Sequence, residues 1–374
     1  MTDAAASIGT AGGTAGPQPA VVGHVDQLTP AWFDAVLGTT GTRSAIRAVT
    51  TEPVGTGQMA STVRAHLVLG DGTDRTVIVK YARADVESAM AGMAYAKEVA
   101  FYAQLGDRVA VRTPDCLYAA IADGSSRFVL VLEDLSDALQ GNQIDGCPVD
   151  HAEAALVNLA GLHGPTWCDA ELAASSWLGT DPAITAEFMA PVLEVAIDAF
   201  AARFGPELDA AETAVLDASR ELLADWMFDK GERFAVVHGD YRLDNLLFPV
   251  DDPARVAAVD WQTTSLGPPA RDVAFFLSTC LAVDDRRRHE RELVAAYHRA
   301  LGDYDVTGYS LEQCFADYRA GMLHAPLIIL LGRFTAGVTE RGDEMFRAMW
   351  RRSTAAIDDL GTVDLVRAQI AGAG

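Results

Sequence analysis

The chain has 374 residues, half of them hydrophobic and 22% charged, a composition that excludes a disordered protein. At roughly 150 residues per domain, its length suggests about two domains, or one domain with two lobes. With 29 basic against 52 acidic residues the formal net charge is −23, which disfavours generic binding to nucleic acid or anionic lipid. An anionic ligand would therefore need local cations, backbone amides or a metal ion. Five cysteines (Cys116, Cys147, Cys168, Cys280 and Cys314) are widely spaced with no C-x-x-C pair. They fit core thiols in a reducing compartment better than a disulfide framework or a zinc site. The N-terminus lacks the basic start and apolar run of a secretory signal. The most apolar later run, Ala325–Leu331, is shorter than the ~20 residues a bilayer requires. The expectation is a cytoplasmic protein.

In chain order, residues 1–24 are rich in Ala, Gly and Thr and read as a flexible tail. Thr29 and Pro30 suit the start of a helix carrying Trp32, Phe33, Val36 and Leu37 at helical spacing. From Ile46 the pattern becomes that of strands: Ile46–Val54, Thr62–Leu69 and Thr76–Tyr81, separated by Gly55-Thr56-Gly57 and by Gly70-Asp71-Gly72. A helix follows over about Val86–Leu105, carrying Tyr95, Val99, Phe101 and Tyr102. Strands follow at Cys116–Ala122 and Arg127–Glu133, joined by a turn at Asp123-Gly124. Beyond Glu133 the pattern is helical, over Ala152–His163, Pro191–Phe204, Ala210–Phe228, Arg271–Ala282, Arg286–Leu301, Leu311–Leu331 and Glu344–Asp358. One pair of short apolar segments, Phe234–Val237 and Val256–Val259, reads as a hairpin set among these helices. The fold class is α+β. A lobe with an antiparallel sheet and one long helix spans residues 25–135, and a larger, mainly helical lobe spans residues 136–374. No internal repeat is visible.

The hairpin carries the densest chemistry. It reads His238-Gly239-Asp240-Tyr241-Arg242-Leu243-Asp244-Asn245, and after the second strand Asp260-Trp261-Gln262. Asp240, Asn245 and Asp260 offer the hard oxygen ligands that Mg²⁺ accepts, together with a carboxylate able to orient a hydroxyl. Any one of them alone would more simply serve a turn or a cap. The pattern H-x-D-x-x-x-x-N, followed by a strand and an aspartate, outweighs that reading.

This pattern resembles the aminoglycoside phosphotransferase and choline kinase group, small-molecule relatives of the protein kinases. It is most similar to the ecdysteroid-kinase-like branch and its bacterial relatives. Asp260-Trp261-Gln262 stands where protein kinases have Asp-Phe-Gly, and Gly267–Ala274 resembles the stretch that follows in the group. The resemblance covers about residues 45–340. It implies a bilobal, protein-kinase-like fold and ATP-dependent, Mg²⁺-dependent transfer of the γ-phosphoryl group to a small-molecule hydroxyl, with GTP as an alternative donor. It also implies that Asp240 orients the acceptor hydroxyl and that Asn245 and Asp260 hold Mg²⁺. Lys80, positioned by Glu98, would offset charge on the α- and β-phosphates. The turn at Gly55 and Gly57 would cover the nucleotide, and the segment from Glu133 to Leu135 would face adenine. His238 and Asp272 would brace the catalytic loop, with His163 in a structural role. The four polar groups Lys80, Asp240, Asn245 and Asp260 are expected to meet around Mg-ATP between the lobes.

Each supporting residue has a plainer reading beside this one. Lys80 could be an exposed strand-end lysine, Glu98 part of a solvated helix face, and Gly55 and Gly57 an ordinary hairpin turn. Ala60 also stands where a full G-x-G-x-x-G would have glycine. Departures from protein kinases point away from a protein acceptor: Gly239 replaces the arginine of H-R-D, and no A-P-E segment follows Asp260. Two other readings remain open, a catalytically silent nucleotide-binding module and metal-dependent hydrolysis through His238, Asp240 and Asp260. The acceptor is not fixed. Acidic runs at Asp284-Asp285 and Glu340–Glu344 would suit a polycation, and residues 165–232 with the C-terminal helices would form its pocket. Trp167, Trp177, Phe188 and Trp226 would line that pocket or belong to the core. The expected partners are the nucleotide and a small hydroxyl compound, with no nucleic acid and no membrane, in a monomer or a homodimer.

Overall fold

The computed structural model describes residues 5–7, 19–38, 45–55, 60–83, 89–122, 127–179, 184–229 and 231–373. Gly57, the turn at Asp123-Gly124 and the expected helix start at Val86 lie outside them. The described chain divides into two compact units. The first comprises residues within Met1–Arg108, Thr113–Ser136 and Asp260–Thr263. The second comprises those within Val109–Arg112, Asp137–Val259 and Thr264–Gly374.

The first unit is built on an antiparallel sheet of β1 (Ala5–Ser7), β2 (Ile46–Pro53), β3 (Ala60–Leu69), β4 (Asp74–Ala82), β5 (Cys116–Ala122) and β6 (Phe128–Glu133). The spatial order is β1-β5-β6-β4-β3-β2. Side chains of a strand alternate between faces, and the two faces here are covered by different helices. Phe33, Val36 and Leu37 of α1 (Pro30–Gly38) pack with Val77, Val79, Tyr81, Val129 and Val131 in one cluster. On the opposite face Tyr95 of α2 (Ala89–Ala100) stacks on Phe128, ring centroids 4.3 Å apart. Lys80, between Val79 and Tyr81, therefore projects to the α2 face. Helix α2 continues as a π-helical turn over Phe101–Leu105, and its buried positions Ala91, Tyr95, Glu98, Tyr102 and Leu105 recur at helical spacing. Parts of the expected flexible tail are ordered: β1 pairs with β5, Val22 is 2% exposed, and Trp32 Nε1 donates to the Ala20 carbonyl at 2.9 Å.

The second unit is mainly helical: α3 (Val149–His163), α4 (Ala170–Ala173), α5 (Ala186–Phe204), α6 (Ala210–Trp226), α7 (Ala270–Cys280), α8 (Val283–Gly302), α9 (Leu311–Ala320), α10 (His324–Thr335), α11 (Glu340–Leu360) and α12 (Thr362–Ala373). The short strands are β7 (Ala138–Gln140), β8 (Ala235–Val237), β9 (Leu246–Pro249), β10 (Ala257–Ala258) and β11 (Ser265–Gly267). The expected hairpin does not form. β8 pairs with β11, whereas β10 pairs with β9, which also pairs with β7. The segment between β8 and β9 is thus held by two separate sheets. The single helix expected over Leu311–Leu331 is also broken, at a 3₁₀ turn over Gly321–Leu323. A Cβ at Gly321 would lie 2.9 Å from the Ala270 carbonyl oxygen, so glycine permits the close approach to α7. Leu311–Thr335 is long and apolar enough to cross a membrane, but most of it is buried in this unit.

Candidate functional site

In the first unit, Lys80 Nζ donates to Glu98 Oε1 at 2.7 Å and to Asp260 Oδ1 at 3.0 Å. Burial opposes the charge on Lys80, but Asp260 and Glu98 outweigh it and hold the ammonium above its ordinary pKa. Glu98 is 1% exposed. Burial lifts its carboxyl, Lys80 pulls it back and Asp260 adds to the rise, leaving it above the usual carboxylate range. Gln262 Nε2 completes the group by donating to Glu98 Oε2 at 3.2 Å.

Asp260 has φ +68°, the left-handed region that a non-glycine residue enters only when its surroundings enforce it. The residue that follows is held by packing. The Trp261 ring stacks on Phe101 with centroids 3.6 Å apart and planes within 5°. That buried stack anchors the Trp261–Thr263 turn to the end of α2 and leaves the Asp260 side chain 40% exposed. Gly55, after β2, has φ +73°, and no atom of the described residues lies within 4 Å of where a Cβ would stand. Glu133 is pinned at the end of β6: its N–H donates to the Asp115 carbonyl at 2.8 Å and its carboxylate accepts from the Asp115 N–H at 3.2 Å. Leu135 is buried, and Asp134 between them takes two hydrogen bonds from Arg64, at 2.8 and 3.2 Å.

In the second unit, a fully buried carboxylate organises the loop after β8. Asp272, in the first turn of α7, accepts the backbone N–H of His238 at 2.6 Å and of Gly239 at 2.9 Å. His163 Nε2 stands 3.3 Å from the same carboxylate, and its Nδ1 is 2.7 Å from the Tyr297 hydroxyl. Burial alone would raise the Asp272 pKa, but the hydrogen bond from His163 and the fields of His163, His238 and His324 hold it below its ordinary value. His238 Nε2 donates to the Val259 carbonyl at 3.1 Å, so its Nδ1 is the acceptor for the Asp240 N–H at 3.3 Å. Gly239, between them, has φ +81°, which only glycine adopts without strain.

This frame presents Asp240. Arg242 Nε donates to both carboxylate oxygens at 3.0 and 3.1 Å, and Asn245 Nδ2 donates to Oδ2 and to the Asp240 carbonyl, each at 2.9 Å. Arg242 also reaches Asp244 Oδ2 at 2.9 Å. Asp244 accepts from the Gln143 N–H at 3.0 Å and from Arg341 as well. Burial works against the Arg242 charge, yet Asp240 and Asp244 hold the guanidinium firmly protonated. With its nitrogen committed to Asp240, Asn245 has Oδ1 without a protein partner among the described residues.

Each unit thus assembles part of the expected set: Lys80, Glu98 and Asp260 in the first, His238, Asp240, Asn245 and Asp272 in the second. No cluster of three or more His, Cys, Asp or Glu side chains suited to a metal occurs among the described residues. Asn245 Oδ1 in the second unit and the Asp260 carboxylate in the first are each an oxygen of the hard type that Mg²⁺ accepts. Arg242 and Gln262 hold the key carboxylates but had no role assigned from sequence. The available signal was their position, two residues after Asp240 and after Asp260. The acidic runs offered for a polycation are matched by the chain's own arginines. Asp284 and Asp285 face Arg287 and Arg288, and Asp343 faces Arg203 and Arg333. Trp226 belongs to the core, Trp167 packs against Tyr309 and Phe188 is 57% exposed.

A five-stranded antiparallel core sheet with one long helix on the lysine-bearing face, joined in sequence to a mainly helical unit, is the protein-kinase-like fold of small-molecule phosphotransferases. The fold is shared with choline kinase from Cryptosporidium parvum Iowa II at 10% identity and TM-score 0.52, covering 83% of this chain and 90% of that one. It is shared too with the GDP complex of aminoglycoside 2'-phosphotransferase-IIIa at 14% identity and TM-score 0.51, covering 87% and 98%. The sequence profile of the ecdysteroid kinase-like family matches residues 59–306, and the chain belongs to that family. Among curated proteins, acyl-CoA dehydrogenase family member 10 of Mus musculus is 40% identical over 76 residues, which make up 20% of this chain and 7% of that protein. The match therefore spans only a small part of that relative.

Proposed function

We propose that this kinase transfers the γ-phosphoryl group of ATP, with GTP as an alternative donor, to a hydroxyl of a small molecule. The observation that carries the proposal is the buried Lys80–Glu98 pair at 2.7 Å. A buried ion pair is no more stabilising than apolar side chains of similar volume, so its presence suits a charge that chemistry requires. Lys80 would offset charge on the α- and β-phosphates, and Glu98 would keep its amine in place. Asp240, steadied by Arg242 and Asn245, would orient the acceptor O–H and take its proton late in the transfer. Asn245 Oδ1 and the Asp260 carboxylate would hold Mg²⁺. When bound, the ion neutralises charge on the phosphate oxygens. The five free thiols suit the proposed cytoplasmic location.

The test is Asp240→Asn in an ADP-release assay with Mg-ATP and a panel of alcohols, sugars and amino alcohols. The variant is expected to lose turnover by about 10²–10⁴-fold while still binding Mg-ATP in calorimetry. Retained turnover would remove Asp240 from the role. Nucleotide binding by the wild type without ADP release, with or without an acceptor, would favour the silent binding module.

A further inference from the structure

The break in the expected Leu311–Leu331 helix delivers a side chain to the loop that carries Asp240. His324, the first residue of α10, is 9% exposed, with the Trp226 ring 6.5 Å and the Phe275 ring 5.5 Å from its own. Its Nε2 donates to the Gly239 carbonyl at 2.9 Å, whereas its Nδ1 is buried with no hydrogen-bond partner among the described residues. The tautomer follows: the proton is on Nε2 and Nδ1 is a bare lone pair. Burial holds this imidazole below its ordinary pKa, so it is neutral at pH 7.

The carbonyl of Gly239 and the N–H of Asp240 belong to one planar peptide unit. Its N–H end is fixed by His238 Nδ1 at 3.3 Å and its C=O end by His324 Nε2. Gly239 lacks a Cβ and sits at φ +81°, so little in the residue itself opposes rotation of the peptide that follows. Where the φ of Asp240 does not compensate, rotation about the ψ bond of Gly239 would turn the Asp240 side chain away from Arg242 and Asn245.

We infer that His324 is a positioning residue, which fixes the Gly239–Asp240 peptide and through it the direction of the Asp240 carboxylate. The inference rests on the catalytic role proposed for Asp240. Packing does not account for the imidazole. An apolar ring would fill the space beside Trp226 and Phe275 without burying an unpartnered nitrogen, so the group is explained by its bond to Gly239.

The experiment compares full-length wild type with His324→Phe and His324→Gln. Phenylalanine keeps an aromatic ring but has no donor, while the glutamine amide nitrogen reaches about as far from Cβ as histidine Nε2. Two quantities are read: amide hydrogen exchange across residues 236–246, and kcat and KM for Mg-ATP from ADP release with water as acceptor. His324→Phe is expected to exchange about tenfold faster at Gly239 and Asp240. Its kcat is expected to fall about 30–100-fold with KM unchanged within about twofold. His324→Gln is expected to restore both quantities. Wild-type kcat and exchange in a folded His324→Phe, or failure of glutamine to rescue, would overturn the inference. If His324→Phe does not fold, His324→Asn replaces it, because its shorter amide falls short of the Gly239 carbonyl and the same losses are expected. Absence of ADP release by the wild type both with water and with the panel of hydroxyl acceptors would instead count against the kinase reading, and the exchange comparison would still decide whether His324 holds the peptide.

Discussion

Lys80→Met tests the ion-pair cluster of the first unit through stability rather than activity. Methionine retains most of the aliphatic stem of Lys80 and removes the ammonium between Glu98 and Asp260. Removing one partner of a buried ion pair typically destabilises by about 3–5 kcal/mol, because the other charge is left uncompensated. The lower end, about 3 kcal/mol, applies here, since Gln262 still donates to Glu98 and the part-exposed Asp260 can turn to water. The pH dependence has a definite sign. Glu98 already sits above the usual carboxylate range through burial, and loss of Lys80 raises it further. A carboxyl raised in the folded state is tolerated below its unfolded pKa, about 4.3, and destabilises as pH rises through its folded value. The Lys80 amine is protonated throughout this window in both states and adds no slope. The loss caused by Lys80→Met should therefore be about 3 kcal/mol at neutral pH and smaller near pH 5. Urea unfolding of both proteins at the two pH values measures it, with Lys80→Met/Glu98→Gln as the control. The double variant should regain about 2 kcal/mol at neutral pH, because an amide replaces the stranded carboxylate. A loss independent of pH and unrelieved by Glu98→Gln would refute the reasoning.

Two further predictions concern the second unit. Arg242→Gln removes the donor that spans both Asp240 oxygens, so kcat should fall about 10–100-fold with nucleotide affinity unchanged. Arg242→Lys should not rescue it, because a single ammonium cannot reproduce the guanidinium's contacts to Asp240 and Asp244. Steady-state ADP release with calorimetry decides, and a lysine variant equal to wild type would oppose the account. Asp272→Asn replaces a buried carboxylate that accepts two backbone N–H groups and should cost about 3 kcal/mol at neutral pH. The Asp272 pKa is lowered by folding, so its contribution is present above the unfolded value of about 3.9 and is lost as pH falls through the folded one. The gap between wild type and variant in urea unfolding should accordingly narrow on acidification.

The elements of the first unit were legible because their local and tertiary signals agree. Val77, Val79 and Tyr81 alternate with Ile78 and Lys80, as a strand between two covered faces requires, and Gly70-Asp71-Gly72 supplies a tight connection with Gly72 at φ +86°. The second unit was harder where elements are very short. β8 and β10 are apolar and near in sequence, which suggests a hairpin, but so few residues carry no register information. Their true partners, β11 and β9, are themselves only three and four residues long. The helix break at Gly321 was hidden because an isolated glycine costs only about 1 kcal/mol within a helix. The residue that needs glycine there is Ala270, about 50 positions away, whose carbonyl approaches Gly321 in a way no local pattern displays.

The same distinction applies to the candidate site. Asp240 and Asn245 were legible through their spacing, and the Lys80–Glu98 pair through a strand-end lysine and a mid-helix glutamate taken together with the catalytic loop. The brace from Asp272 was reached by resemblance alone, since its carboxylate binds the backbone N–H groups of His238 and Gly239. His324 illustrates the general difficulty. A salt bridge names both partners by residue type, so a sequence offers two letters to match. A side chain that holds a peptide group leaves only one, because every residue has a carbonyl. Residues that position a loop through its backbone are therefore the ones a motif cannot reveal. In this protein they come from α7 and α10, whose helix-forming patterns say nothing of the loop they hold.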